Sequence, residues 1–354
     1  MTSQELLEQS VGENLDALVN IDLPGYGVPR AIYAAARQRS RGPLLLTAAQ
    51  EIRSRVKPND AVVIGTGFVF PPWNTGELDG LVGAAVIARA LEIGLAAKPV
   101  IVCEEELVTA AAAVARTAGL QPRDSVERWR KEPHTVLVRS FTKDERAAPQ
   151  AARELLDNLA PKVVLSIERP GRGKGGVYHM GNGIDVSALA AKFDHCFEEM
   201  RRRGGLTVAI GDRGNELGMG AIRDGVRADV PFGRDCGCPC GTGIAAEVES
   251  DVTITAAVSD WAAYGLAAAI AFVTGKRDAL HGPNLEQRIL RSAVEAGMID
   301  GSGYATPAVD GVGEDYNARL VQMLGDVIEY PLRTKARYEM MFERMLKLKA
   351  EGRS

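Results

Sequence analysis

The densest chemistry in the chain lies at Gly211 to Gly220, where the apolar run Leu206 to Ile210 gives way to Asp212, Arg213, Gly214, Asn215 and Glu216. Two acids, an amide and four glycines in ten residues serve no strand. They suit a backbone that turns sharply and offers bare N–H groups to a ligand. Val163 to Ile167 ends in the same way, in Glu168-Arg169-Pro170-Gly171-Arg172-Gly173-Lys174, followed by Tyr178, His179 and Asp185. Asp60 to Ile64 opens into Gly65-Thr66-Gly67 and then Asp79, and Pro99 to Cys103 opens into Glu104. Strand carboxyl ends are where open α/β sheets hold their ligands.

Carboxylates gathered at one sheet edge raise one another's pKa, and burial adds to the effect, so that one can hold a proton while its neighbour acts as a base near neutral pH. Glu168 and Asp212 lead the candidates, because an acid between glycines at a strand end has no helix to cap. Asp185 ahead of Ser187, and Glu105-Glu106, read equally well as acids at a helix start. Arginines in the same loops suit a small anionic substrate, since a guanidinium holds a carboxylate through two parallel hydrogen bonds. Amides of the glycine loops suit an oxyanion.

Several familiar chemistries fail on spacing. Gly65-Thr66-Gly67 lacks the third glycine of a dinucleotide fingerprint, since position 70 is Phe70, and Gly173-Lys174 lacks the remainder of a phosphate loop. No NAD, flavin or nucleotide is therefore expected. Cys236, Cys238 and Cys240 are packed as C-x-C-x-C, tighter than the usual spacing of zinc ligands and without a local fourth partner. They read as small thiols on a rigid Gly/Pro loop, with a bound metal as the alternative.

These loops need a scaffold. β-branched runs near 60–64, 99–103, 135–139, 163–167, 206–210 and 251–258 alternate with segments long enough for helices, which predicts a mainly parallel α/β sheet flanked by helices. Helices are expected over 78–95, 105–118, 149–159, 187–203, 260–275 and 284–297. Residues 1–56 read as an N-terminal helical extension and 57–354 as one compact α/β domain. The tail from Glu314 to Lys349 is expected to be helical with a break at Pro331. Its Met340, Met341 and Met345 form an apolar side for packing on its own domain or for a homo-oligomer contact.

The 354 residues, 46% of them hydrophobic, can bury a large core, and a net charge of −4 offers no positive field for nucleic acid or an anionic membrane. Met1 to Ser10 lacks the cationic start and apolar centre of a secretory leader. Trp261 to Thr274 is shorter than the ~20 residues of a membrane span. Five cysteines, an odd count, suggest the cytoplasm.

In order along the chain, Thr66-Gly67-Phe68, Glu77-Leu78-Asp79-Gly80-Leu81-Val82-Gly83-Ala84, Ile167-Glu168-Arg169-Pro170-Gly171-Arg172, Gly211 to Gly220 and Val258-Ser259-Asp260-Trp261-Ala262-Ala263-Tyr264-Gly265 resemble the D-glutamate cyclase family. That family comprises the C-terminal domain of D-glutamate cyclase and its free-standing bacterial relatives, and the similarity runs from about Arg30 to the region of Gly311. The resemblance implies a Rossmann-like α/β enzyme, a carbon–oxygen lyase that dehydrates D-glutamate to 5-oxo-D-proline. It implies Glu168 and Asp212 as base and acid, with Gly65, Thr66, Gly67, Asp79, Arg169, Arg172, His179, Gly214, Asn215 and Glu216 around the substrate. Arg169 and Arg172 would be the carboxylate clamps, unless Arg172 pins its own loop instead, and Gly65, Gly67 and Gly214 the oxyanion donors. Oxygen-ligand chemistry adds Mg²⁺ or Mn²⁺ among Asp79, Glu104 and Asp212. The sequence departs from the family at Leu78 and Leu81, where the motif E-T-D-G-P has threonine and proline, and at Arg213, where glycine is common. A pocket of altered shape is expected. The same residues also suit a hydrolase opening a small lactam or cyclic imide, or a regulator that binds an amino acid without turning it over.

Overall fold

The computed structural model describes residues 2–352. Its centre is a parallel sheet of β1 (Ala61–Gly65), β2 (Lys98–Cys103), β3 (Gln121–Arg123), β4 (Thr135–Ser140), β5 (Val163–Ile167), β6 (Leu206–Gly211) and β7 (Val252–Thr255), ordered β3-β4-β2-β1-β5-β6-β7. Gly65 pairs with Val102 on one side and Ser166 on the other, and Ile167 pairs with Ile210, so the carboxyl ends of the central strands lie level. The chain builds outward from β1 through β2 and β4, then crosses to the opposite side for β5 to β7. The order therefore reverses between β1 and β5, and the crevice at such a switch point is where ligands bind.

Strand periodicity divides the core into two layers. Val62, Ile64, Ile101, Leu165, Ile167, Val208 and Ile210 face the helices Leu81–Leu95 and Ser259–Thr274. Val63, Val100, Val102, Val164 and Ala209 face the helices Val28–Arg39, Ala148–Leu159 and Asp194–Arg202. Because both faces are covered, the strands read as continuous apolar runs. The helices Leu81–Leu95 and Ser259–Thr274 approach closely at Gly83, where an added Cβ would lie 2.8 Å from the Ala263 Cβ. The helices Val28–Arg39 and Leu44–Arg55 pack beside β7 and shield that edge.

The structure departs from the sequence expectation in several places, among them the helices Val126–Lys131 and Arg223–Asp229, which were not expected. β3 was not foreseen; it is a short edge strand with Pro122 at its centre, a position where a missing N–H is tolerated. The helix expected from 187 begins only at Asp194, because Asp185 accepts the Ser187 amide and holds a turn. The helix Glu314–Ala350 continues through Pro331, forfeiting one rung of its ladder instead of ending there. Its first half packs through Ala318, Leu320, Val321, Leu324 and Ile328, while Met340, Met341 and Met345 are exposed. Among the described residues, no helix is long and apolar enough to cross a membrane.

Candidate active site

A cavity of about 380 Å³ opens over the carboxyl ends of β5 and β6, near the lower limit of the roughly 300–1,000 Å³ of small-molecule sites. Glu77, Glu168, Asp212, Arg213, Asn215 and Asp310 line it with Tyr26, Phe68, Phe70 and Phe232. The expected convergence of Glu168 and Asp212 on one sheet edge is present. One carboxylate oxygen from each of Glu168, Asp212 and Glu216 lies within 4.8 Å of the others.

Glu168 is held in an unusual way. It is a non-glycine residue with φ +38° directly after β5, a conformation that costs of order 1–3 kcal/mol and persists only where its surroundings enforce it. They do so here: Gly80 packs so closely that a Cβ there would sit 2.6 Å from the Glu168 Cβ, and Ser259 Oγ donates to Glu168 Oε2 at 2.6 Å. Asp212 Oδ1, by contrast, is buried without a partner among the described residues.

Two helix starts are joined beneath this pair. Asp79 accepts the amides of Ser259 and Asp260, and Asp260 Oδ1 accepts those of Gly80 and Gly83 at 2.8 and 2.7 Å. Asp79 is thus a cap for the helix Ser259–Thr274 and does not line the cavity.

Most of the other expected pocket residues are occupied within the protein. Arg169 is fully buried and points away from the cavity, with Nη2 donating to Glu104 Oε1 at 2.8 Å and to the Ala191 carbonyl at 2.7 Å, Nη1 donating to the Thr66 carbonyl, and its guanidinium over the Phe193 ring. It is a core ion pair, and Glu104 is thereby removed from the expected metal set. Arg172 pairs at the surface with Glu198 and Glu145, so it pins its own loop. The Glu216 carboxylate accepts the amides of Asp212, Arg213 and Gly214, at 3.2, 2.9 and 2.7 Å, which closes the turn after β6 and removes Gly214 as an oxyanion donor. Gly65 and Gly67 make room for the Phe193 ring and the Glu104 carboxylate, respectively. Neither they nor Thr66 line the cavity. His179 faces Cys238 and Cys240. Of the expected substrate-binding residues, Asn215 remains at the cavity; its Nδ2 donates to the His179 carbonyl at 3.0 Å, and its Oδ1 is buried without a partner among the described residues.

Three cavity residues were missed as site residues. Arg213 lines the wall with its guanidinium 4.0 Å from the Tyr26 ring centroid, and it is the one cation among the lining residues. Asp310, at φ +50°, forms the tip of the hairpin Ala308–Val309/Val312–Gly313. The Asp-Gly pair at 310–311 between apolar residues is a hairpin signal that could have located it. Glu77 precedes Asp79 in the same acid motif.

Burial lifts the carboxyl groups of Glu77, Asp79, Glu168 and Asp212 well above the usual carboxylate range. Neighbouring acids add to this: Asp310 acts most on Glu77, Asp260 on Asp79, Glu216 on Glu168 and Glu168 on Asp212. Asp310 is raised by burial, and burial takes Asp260 to about 8. The Ser259 hydroxyl and Arg213 pull Glu168 partly back. Asp79, Asp212 and Asp310 each offer one oxygen within 4.8 Å of the others, and this all-carboxylate set suits a hard divalent cation. Asp310 takes the place expected of Glu104.

The parallel α/β sheet flanked by helices, with an acid-lined cavity over its strand ends, is of the Rossmann-like class. The family model for the D-glutamate cyclase-like C-terminal domain matches residues 15–325, and the chain belongs to that family. The chain is similar to the human mitochondrial D-glutamate cyclase, at 28% identity over 172 residues. That alignment covers 48% of this chain and 25% of the human protein, so the chain spans well under two thirds of that relative.

Proposed function

We propose that this protein is a lyase that closes D-glutamate, or a close analogue, to 5-oxo-D-proline with loss of water. The observation that carries the reading is the pairing of Glu168 and Asp212 in one cavity with Arg213 as its cation.

Ring closure forms a bond between the α-nitrogen and the γ-carboxyl carbon and breaks a carbon–oxygen bond. Two protons leave the nitrogen and two arrive on the departing oxygen, so the site needs a base and an acid but no net proton source. Two carboxylates this close cannot both ionise cheaply. The Ser259 hydroxyl steadies a negative charge on Glu168, whereas the Asp212 Oδ1 has no donor, so of the two Asp212 is the one suited to carry a proton. Glu168 is then the base for the ammonium and Asp212 the acid for the leaving oxygen. Arg213 grips the substrate α-carboxylate, and Asn215 Oδ1 accepts from the ammonium. Holding the two ends of one molecule together supplies the proximity that the reaction requires.

Asp79, Asp212 and Asp310 would hold Mg²⁺ or Mn²⁺ only with Asp212 ionised, and the ion would then supply Lewis-acid polarisation of the γ-carboxyl in place of the Asp212 proton. The net charge of −4 and the small cavity favour a small anionic substrate over nucleic acid or a membrane surface. The five cysteines are free thiols, which suits the cytosol.

Proton NMR of D-glutamate, L-glutamate and 5-oxoproline incubated separately with the protein, with chelator or with added Mn²⁺, tests the proposal. Conversion of D-glutamate to 5-oxoproline supports it. Ring opening of 5-oxoproline without net closure would point to a lactam hydrolase, and thermal stabilisation by D-glutamate without any turnover would point to a sensor.

A further inference from the structure

Away from the acid cavity, one imidazole and three sulfurs meet at a point. His179 Nε2 lies 3.4 Å from Cys238 Sγ and 3.3 Å from Cys240 Sγ. Cys236 Sγ lies 3.2 Å from Cys238 Sγ and 3.3 Å from Cys240 Sγ, and the last two are 3.1 Å apart. We propose that His179, Cys236, Cys238 and Cys240 form a structural zinc site that fastens the loop after β5 to the loop ahead of β7.

The tight C-x-C-x-C spacing is overcome by the backbone. Gly237 and Gly241 adopt φ +71° and +58°, curling the loop until alternate cysteines point inward. The fourth ligand missing from the local sequence comes from 57 residues upstream of Cys236, in His179, which is buried. Tetrahedral Zn–S bonds of ~2.3 Å place sulfurs about 3.8 Å apart, so the observed set needs only a small outward relaxation to admit one ion. A disulfide would require about 2.05 Å for one pair and would leave the third sulfur and the imidazole without a function. Four ligands converging at this range fit a single ion rather than a cluster with separate metal positions.

Four protein ligands close the coordination shell, which marks a structural site and not a catalytic one. The cross-link falls where it shapes the cavity. Met180, Gly181 and Asn182, directly after His179, line one wall, and Pro231 and Phe232, ahead of the cysteine loop, line another. Gly183 packs against the Cys236 carbonyl so tightly that an added Cβ would lie 2.2 Å from that oxygen. This close approach holds the two loops together beside the four ligands.

The test is metal analysis of the full-length protein purified without an affinity tag, together with thiol titration. One zinc per chain is expected, with the three loop thiols unreactive until a strong chelator releases the metal. Replacement by Co²⁺ should give the visible absorption and sulfur-to-metal charge-transfer bands of a tetrahedral thiolate site. Cys238→Ser and His179→Ala should each abolish stoichiometric zinc, and chelation of the wild type should lower its melting temperature. Wild-type protein that retains no zinc after loading in the reduced state, or that shows a disulfide within the loop when kept from oxidants, would overturn the assignment whatever the variants do.

Discussion

Asp79 and Asp260 each cap the helix that the other one introduces. Asp79, just ahead of the helix Leu81–Leu95, accepts the Ser259 and Asp260 amides, while Asp260, in the first turn of the helix Ser259–Thr274, accepts the Gly80 and Gly83 amides. Both positive helix ends are thereby brought beneath a group of buried acids, where they favour negative charge. Two motifs far apart in the sequence become one structural unit supporting Glu168 through Gly80 and Ser259.

Removing one cap should expose this dependence. Asp260→Ala leaves the buried Gly83 N–H without its acceptor, while the Gly80 N–H keeps Asp79 Oδ1, and should cost about 1–3 kcal/mol. Asp260→Asn keeps an acceptor oxygen and should cost less than half as much. Denaturant unfolding of both variants decides the point; equal midpoints for wild type and Asp260→Ala would show that the reciprocal cap contributes nothing.

The acids also set a pH dependence. Burial raises Asp260 to about 8 in the folded protein, against about 3.9 unfolded. The folded state therefore binds more protons between those values, and its stability should fall as pH rises from about 4 through about 8. Glu77, Asp79, Glu168 and Asp212 are raised as well and act in the same direction. Unfolding in chelator across this range should show the decline, with a shallower slope for Asp260→Asn. A stability that climbs steadily from pH 5 to 8 would contradict the buried cluster.

Arg213 and Arg172 give opposite predictions despite their similar settings in glycine-rich loops. Arg213→Lys keeps the charge but loses the bidentate fork, and should raise KM roughly 10-fold with kcat within a few-fold. Arg172→Lys should leave both near wild type, since Arg172 meets Glu198 and Glu145 outside the cavity. Steady-state kinetics of the two variants side by side would reverse the assignment if Arg172→Lys carried the larger KM effect.

A divalent cation among Asp79, Asp212 and Asp310 should stabilise the protein, by about 2.7 kcal/mol at one hundred times its Kd. Mn²⁺ added to chelator-treated protein should raise the melting temperature. Asp310→Asn should reduce the rise most clearly, because Asp310 has no capping duty. An equal rise in wild type and Asp310→Asn would place the cation elsewhere.

The scaffold was largely legible in the chain because each central strand is a continuous apolar run and ends in glycine, in charge or in both. That pattern alone places Gly65, Glu104, Glu168 and Asp212 at one edge. It could not tell which way a side chain turns. Arg169 reads as a substrate clamp until Glu104, from another strand, is seen to hold it in the core. Glu216 reads as a pocket acid until it folds back onto the Asp212, Arg213 and Gly214 amides. Asp310 arrives from a hairpin nearly 100 residues beyond Asp212, and His179 meets the cysteines 57 or more residues away, so both depend on tertiary packing that no local spacing encodes.

The most direct test of the central claim is kcat for D-glutamate cyclisation in Glu168→Gln and Asp212→Asn, read by the proton NMR assay with melting temperatures measured in parallel. Each substitution keeps size and removes the proton-transfer function, so the account predicts losses of roughly 10²-fold or more in kcat with the fold intact and a smaller effect on KM. Near-normal kcat in both variants, at unchanged melting temperatures, would contradict it.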